Sequence, residues 1–166
     1  ASPVTVAGVK AMLRDHYQCS RLAAHDPYAD PAPDEPLRPV SVFRTYESHI
    51  MQVRPRLPKA IGCVTYIAFG MADLSCYVPF YQGVKDFPAA VQAGTDEADD
   101  KSAYWAFRKV QTLAMTDYPR LAPVVQAAYA GFESRCEVKM AAIEKRYLKR
   151  LKGAPKEARK YLQEAN

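Results

Sequence analysis

Ile61-Gly62-Cys63-Val64-Thr65-Tyr66-Ile67-Ala68-Phe69 is the stretch that decides the fold class. It is nearly all apolar and rich in β-branched and aromatic residues, the composition of a strand buried on both faces. Upstream, Val40 to Val53 reads as a second strand, with Val42, Phe43, Thr45, Tyr46, Ile50 and Val53 as β-formers. Large apolar groups fall on both of its faces, so both are expected to be at least partly covered. Arg54-Pro55-Arg56-Leu57-Pro58-Lys59 supplies the turn, and the two strands pair as a hairpin. A lone hairpin is marginal in water. This one wants neighbouring strands and a covering layer, yet no other segment reads as a clear third strand.

Around the hairpin the periodicity is helical. Thr5 can cap a helix that starts at Val6 and ends near Tyr17, with Val6, Val9 and Leu13 on one face. Residues 26–39 contain five prolines and form an extended loop. Gly70 to Ala98 is irregular and holds the aromatic block Tyr77-Val78-Pro79-Phe80-Tyr81. Asp99 or Asp100 caps a helix from Ser102 to Thr116, which Asp117-Tyr118-Pro119 breaks. The longest helix starts near Arg120. Its apolar residues Leu121, Val125, Ala128, Phe132, Cys136, Met140, Ile143, Tyr147 and Leu151 step by three or four. Gly153-Ala154-Pro155 ends it, and residues 154–166 form a tail or short helix. The chain is therefore expected to be α+β and helix-rich, one hairpin plus several helices in a single unit over 1–166. The aromatic groups at 77–81 and 104–107 read as core filling.

Composition narrows the function classes. The 166 residues are 49% hydrophobic and 25% charged, a normal soluble globular balance. No apolar run reaches the roughly 18–20 residues that span a bilayer, and no secretory signal is visible. A cytoplasmic protein is expected rather than a secreted one. The net charge of +5 lies entirely in Glu133–Asn166, where ten Lys/Arg face five Asp/Glu. An anionic partner, nucleic acid or membrane, is one reading of that excess. Glutamates interleave with the bases, which favours a solvated helix face instead, so neither nucleic acid nor membrane is expected as a partner.

Chemical motifs are sparse. Cys19, Cys63, Cys76 and Cys136 lack zinc-knuckle spacing, and His16, His25 and His49 are scattered, so no metal or cofactor is expected. There is no phosphate-binding glycine loop, paired-histidine zinc motif or nucleophile elbow. Asp15 and His16 are adjacent on a helix, point about 100° apart and cannot orient each other, so His16 is not expected to be catalytic. Alternation puts Glu47 and His49 on one strand face as a structural polar pair. Arg44 sits mid-strand among neutral residues. It either pairs with Glu47 or another carboxylate, or places a positive charge near a thiolate or substrate carboxylate.

Five blocks carry a resemblance. They are Leu13-Arg14-Asp15-His16-Tyr17, then Ser41-Val42-Phe43-Arg44-Thr45-Tyr46-Glu47-Ser48-His49 with Gln52-Val53-Arg54. Gly62-Cys63-Val64-Thr65-Tyr66-Ile67-Ala68-Phe69-Gly70 and Tyr77-Val78-Pro79-Phe80-Tyr81 follow, and then Ser102-Ala103-Tyr104-Trp105-Ala106-Phe107-Arg108-Lys109. In this order they resemble the C-terminal half of the dipeptidase A family of cysteine peptidases, over about Val4 to Glu137. The resemblance implies an N-terminal-nucleophile hydrolase fold, an αββα sandwich of two stacked sheets between helical layers. It implies a cysteine at a free N-terminus that attacks a dipeptide, with no metal. Residue 1 here is Ala, and every cysteine has its amine in a peptide bond. The resemblance therefore implies a fragment, inactive alone, whose partner is the missing N-terminal half, with homo-oligomers allowed. It names no catalytic residue in this chain and leaves Arg44 as an active-site neighbour. A non-catalytic binding or scaffold module and an anion-binding module are the competing classes.

Overall fold

A computed structural model describes residues 3–29, 37–94 and 96–165. Its helices are α1 (Val6–Leu13), α2 (Lys59–Gly62), α3 (Ala89–Gln92), α4 (Ala103–Ala114), α5 (Tyr118–Leu151) and α6 (Pro155–Ala165). Strands β1 (Glu47–Val53), β2 (Cys63–Phe69) and β3 (Val78–Tyr81) form one antiparallel sheet in that order. The architecture is α+β, as the sequence implies.

The sheet has a third strand that the sequence reading placed in an irregular region. Val78–Tyr81 pairs with β2 in the register Val64↔Tyr81 and Tyr66↔Pro79. Pro79 is tolerated because β3 lies at the sheet edge, where a missing N–H breaks no further ladder. β1 is shorter than Val40–Val53. Residues 41–46 are diverted: the Ser41 N–H donates to the Asp15 carbonyl at 2.9 Å, and the Thr45 N–H closes a turn on Val42 at 3.0 Å. Alternation is correct from Glu47 onward.

Only one sheet face is fully covered. Ile50, Val64, Tyr66 and Ala68 pack on Met140, Ile143 and Tyr147 of α5, on Ala158 and Leu162 of α6, and against Val6, Val9 and Leu13 of α1. On the other face Met51 is 67% and Val53 72% exposed, so the expectation that both faces of β1 are covered does not hold.

α1 starts as expected, with the Gly8 N–H donating to Thr5 Oγ1 at 3.0 Å. It stops at Leu13 rather than Tyr17. The Asp15 carboxylate takes the Tyr17 N–H and Gln18 Oε1 takes the His16 N–H, so side chains outcompete the next helical turn. Tyr17 and Cys19 then adopt positive φ. Ser102 stands at the α4 N-cap, and Asp99 accepts the Lys101 and Ser102 N–H groups just before it. The Asp117-Tyr118-Pro119 break is one 3₁₀ turn, Met115–Asp117, because proline fits the first turn of α5. Residues 154–166 contribute α6, with Asn166 outside the described residues. Of the proline-rich loop, 26–29 and 37–39 lie outside regular strands and α-helices; its residues 30–36 are outside the described set.

A second core, Met71, Leu74, Ala114 and Ala122 with Tyr28, Phe43 and Tyr118 around it, joins α4, α5 and the turn after β2. Gln111, fully buried, organises that turn. It accepts the Met71 N–H at 3.1 Å and donates to the Phe69 carbonyl at 2.8 Å. Gly70 sits beneath it at φ +72°, and a Cβ there would lie 2.2 Å from Gln111 Oε1. Gly70→Ala combines a left-handed backbone with a displaced buried amide, and is expected to lower stability by about 2–4 kcal/mol in chemical denaturation.

Candidate functional site: a buried ionic cleft between α1 and α5

A cleft of about 590 Å³ opens between α1 and the first half of α5, floored by the turn around Asp73 and Ser75. Its walls are shaped by the small residues Ala7 and Ala11 on one helix and Ala122 and Ala130 on the other. The polar groups of the floor form two clusters.

In the first, Glu133 of α5 is buried and holds two cations of α1. Lys10 Nζ lies 3.0 Å from its Oε2 and Arg14 Nη2 2.5 Å from its Oε1. The Tyr77 N–H also donates to Oε1 at 2.6 Å. Arg14 spends its remaining reach on the Ala72 and Ser75 carbonyls at 3.2 and 3.0 Å. The charged heads also lie over aromatic rings, Lys10 Nζ 5.2 Å from the Tyr66 centroid and the Arg14 guanidinium 5.0 Å from that of Tyr77. Burial works against the Glu133 charge, but the bonds from Arg14, Tyr77 and Lys10 outweigh it and hold its pKa below the ordinary carboxylate value.

The second cluster centres on His16, also buried. Nδ1 lies 2.8 Å from both oxygens of Asp26, which follows a 3₁₀ turn ten residues on. Nε2 lies 3.0 Å from the Tyr118 hydroxyl and 3.6 Å from Asp73 Oδ2. Tyr118, the first residue of α5, donates its proton to Asp73, which also accepts from Gln126 at 2.9 Å. With an acid on one side and a committed donor on the other, the ring is satisfied only with both nitrogens protonated. Burial lowers its pKa, but hydrogen bonds and charge from Asp73 and Asp26 reverse that, and the net shift is upward. Burial, then Asp73, pushes the Tyr118 hydroxyl far above its usual range.

The sequence-derived candidates fall elsewhere. Arg44 lies in an exposed turn, not mid-strand, and does not line the cleft. Its expected partner Glu47 is taken by His49 at 2.8 Å, an exposed pair on β1. Among the described residues Arg44 has no ion-pair partner. His16, set aside because Asp15 cannot orient it, is held instead by Asp26 and Asp73. The missed signal was charge inside apolar periodicity: Lys10 falls between Val6, Val9 and Leu13, and Glu133 within the stripe that includes Cys136 and Met140. Among the described residues, no group of three His, Cys, Asp or Glu is placed to hold a metal ion. Within the basic segment, Arg146 and Arg150 lie over the Tyr161 ring, while its acid Glu144 pairs with Arg54 at 2.8 Å. No described helix is long and apolar enough to cross a membrane.

The four thiols differ in exposure. Cys19 is exposed, Cys63 and Cys136 are half-buried, and Cys76 is buried with its pKa pushed up to about 12 by burial and then by Glu133. Burial also raises Cys136.

The family model of peptidase family C69 matches residues 1–130, and the chain belongs to that family. A probable dipeptidase of Salmonella dublin is 56% identical over 94 residues, which are 57% of this chain and 20% of that protein. A probable dipeptidase B of Lactococcus lactis is 31% identical over 118 residues, 69% of this chain and 24% of that protein. Dipeptidase A of Lactobacillus helveticus is 28% identical over 115 residues, again 69% of this chain and 24% of that protein. The matched stretch thus spans about a fifth to a quarter of the length of these relatives.

Glu133→Gln would leave two buried cations facing a neutral amide. It is expected to cost about 3–5 kcal/mol in denaturant titration. Because the Glu133 pKa is lower folded than unfolded, its contribution is present above the ordinary carboxylate value and lost as pH falls through the folded value. The variant should therefore also show a shallower loss of stability on acidification.

Proposed function

We propose that the whole protein is a cysteine dipeptidase with an N-terminal nucleophile, and that this chain is a C-terminal, non-nucleophilic portion of it. The observation that carries the reading is the ordered likeness to dipeptidases. The state of the four thiols supports it. A nucleophile of this kind uses its own α-amine as base, and each cysteine here has that nitrogen in a peptide bond. Cys76 has in addition a thiol pushed away from the reactive thiolate by burial.

In the proposed reaction the thiol attacks the dipeptide carbonyl and its proton passes to the amine. The tetrahedral oxyanion collapses, and the departing amino acid leaves with that proton. Water then hydrolyses the thioester and regenerates the thiol. The role of this chain is structural support. Its sheet brings a partly uncovered face, with Met51 and Val53 outward, to the remainder of the protein, which supplies the second sheet of an αββα sandwich. Exposed Arg44, at the approach to β1, is a cation available to that junction.

The test is active-site labelling of the protein as its gene encodes it, with a thiol-reactive dipeptide analogue and peptide mapping. Loss of dipeptide hydrolysis should track modification of a cysteine other than Cys19, Cys63, Cys76 and Cys136. Cys19→Ala should leave turnover unchanged. Inactivation that maps to any of these four sinks the reading.

A further inference from the structure

In the sequence of Glu133–Asn166 ten Lys/Arg are interleaved with five Asp/Glu, but the fold separates the two signs. At about 100° per residue, Arg135, Lys139, Arg146, Lys149 and Arg150 of α5 fall within an arc of about 100°. Glu133, Glu137 and Glu144 fall roughly 160° from the centre of that arc. Two of these acids are consumed on the far side of the helix. Glu133 is buried against Lys10 and Arg14. Glu144 pairs with Arg54 and accepts the Tyr81 hydroxyl at 2.9 Å. Glu137 lines the α1–α5 cleft. The last two acids are exposed on α6, where Glu164 lies 3.9 Å from Lys160.

What remains is a row of cations roughly 22 Å long on the opposite side of α5. Arg135, Lys139, Arg146 and Lys149 are exposed and Arg150 is half-buried. Among the described residues none of the five has an ion-pair partner. Two of them are nevertheless held in place. Arg146 and Arg150, one turn apart, both lie over the Tyr161 ring of α6, their guanidinium carbons 5.5 and 4.6 Å from its centroid. A guanidinium set over a ring keeps its N–H edge available to an oxyanion. A side chain already restrained also loses less rotamer freedom when it binds. The row lies outside the stretch that matches the family, which ends at residue 130.

We propose that this row docks an extended acidic segment of a partner protein, with Arg146 and Arg150 each taking a carboxylate. Charge complementarity sets the chemistry, and the surroundings of the cations select among anions. Adsorption into a membrane surface needs apolar residues beside the cations. α5 instead turns Met140, Ile143 and Tyr147 into the core. A single-stranded nucleic acid stacks its bases on open aromatic faces. Here Tyr161 already carries the two arginines, and Phe132 carries Arg135 at 5.9 Å. A carboxylate requires neither feature, because it accepts two parallel N–H bonds from one guanidinium. About seven residues, at roughly 3.3 Å each, span the row. The proposal does not depend on the catalytic reading.

Fluorescence anisotropy of the full-length protein tests it, with a labelled peptide of about seven glutamates beside duplex DNA and phosphatidylserine vesicles at matched ionic strength. The peptide should bind at about 50 mM salt and weaken several-fold by about 150 mM, as exposed charges are screened. Arg146→Gln with Arg150→Gln should weaken it by roughly tenfold or more. Arg146→Lys with Arg150→Lys keeps the charge but not the fork, and should recover only part of the affinity. Lys145→Gln with Lys152→Gln removes the same charge roughly 100° round the helix from the centre of the row. That pair should change affinity by less than about threefold. Absence of peptide binding at the lower salt overturns the proposal. So does an off-row pair that costs as much as the arginine pair, because net charge alone then explains the binding. DNA or vesicles that bind more tightly than the peptide overturn it as well. If the arginine pair fails to fold, judged by circular dichroism, Lys139→Gln with Lys149→Gln decides: unchanged affinity overturns the row.

Discussion

The Glu133 carboxylate is the constraint on which this chain is arranged. A single buried anion takes Lys10 and Arg14 from α1 and a backbone N–H from Tyr77, at the entry to β3. Once desolvated, none of the three charges can be left alone without a penalty of several kcal/mol. The helix, the sheet edge and the long helix must therefore meet at one point and in one register. Apolar packing of Met140, Ile143 and Tyr147 on the sheet then has little freedom left. Hydrophobic burial supplies most of the driving force, and the ionic cluster constrains it, because parting any one partner leaves a buried charge uncompensated.

The fold was legible where one force dominated locally. β2, the capped start of α1 and the C-terminal part of the α5 stripe, Met140, Ile143 and Tyr147, were visible because period and cap chemistry agreed, whereas Ala128 and Phe132, read into the same stripe, are exposed. The third strand was not visible. Val78–Tyr81 is only four residues long, carries a proline and owes its extension to pairing with β2. Strand formation there is a tertiary effect, and the single-sequence signal of an aromatic block fits core filling equally well. The shortened β1 has a similar cause. Val42 and Phe43 have strand propensity, but Ser41 and Phe43 find their hydrogen bonds on Asp15 and Tyr28.

The site was less legible than the fold. Reading outward from each titratable residue led to Arg44 and to the pair Glu47–His49, which the structure leaves on the surface. The residues that meet in the cleft are separated by up to 123 positions, as with Lys10 and Glu133. Sequence adjacency carries no information at that range. What it could have shown was misfit: a lysine among the apolar residues of α1 and a glutamate within the stripe of α5. A charge in an apolar stripe obliges a partner, though not its location.

α5 runs for 34 residues without interruption, from the ionic cleft to the apolar layer under the sheet. At 1.5 Å per residue, Tyr118 and Tyr147 lie roughly 44 Å apart along one axis. Tyr118 is gripped by Asp73 and His16, whereas Tyr147 is wedged in the core. Mechanically the helix is a beam held at both ends, with Pro123, which has no N–H for the ladder, as a softer point near the Tyr118 end. A tilt of a few degrees at the Tyr118 end would swing the far end by several ångström if that end were loose. Because it is clamped, the same tilt becomes bending stress against the sheet.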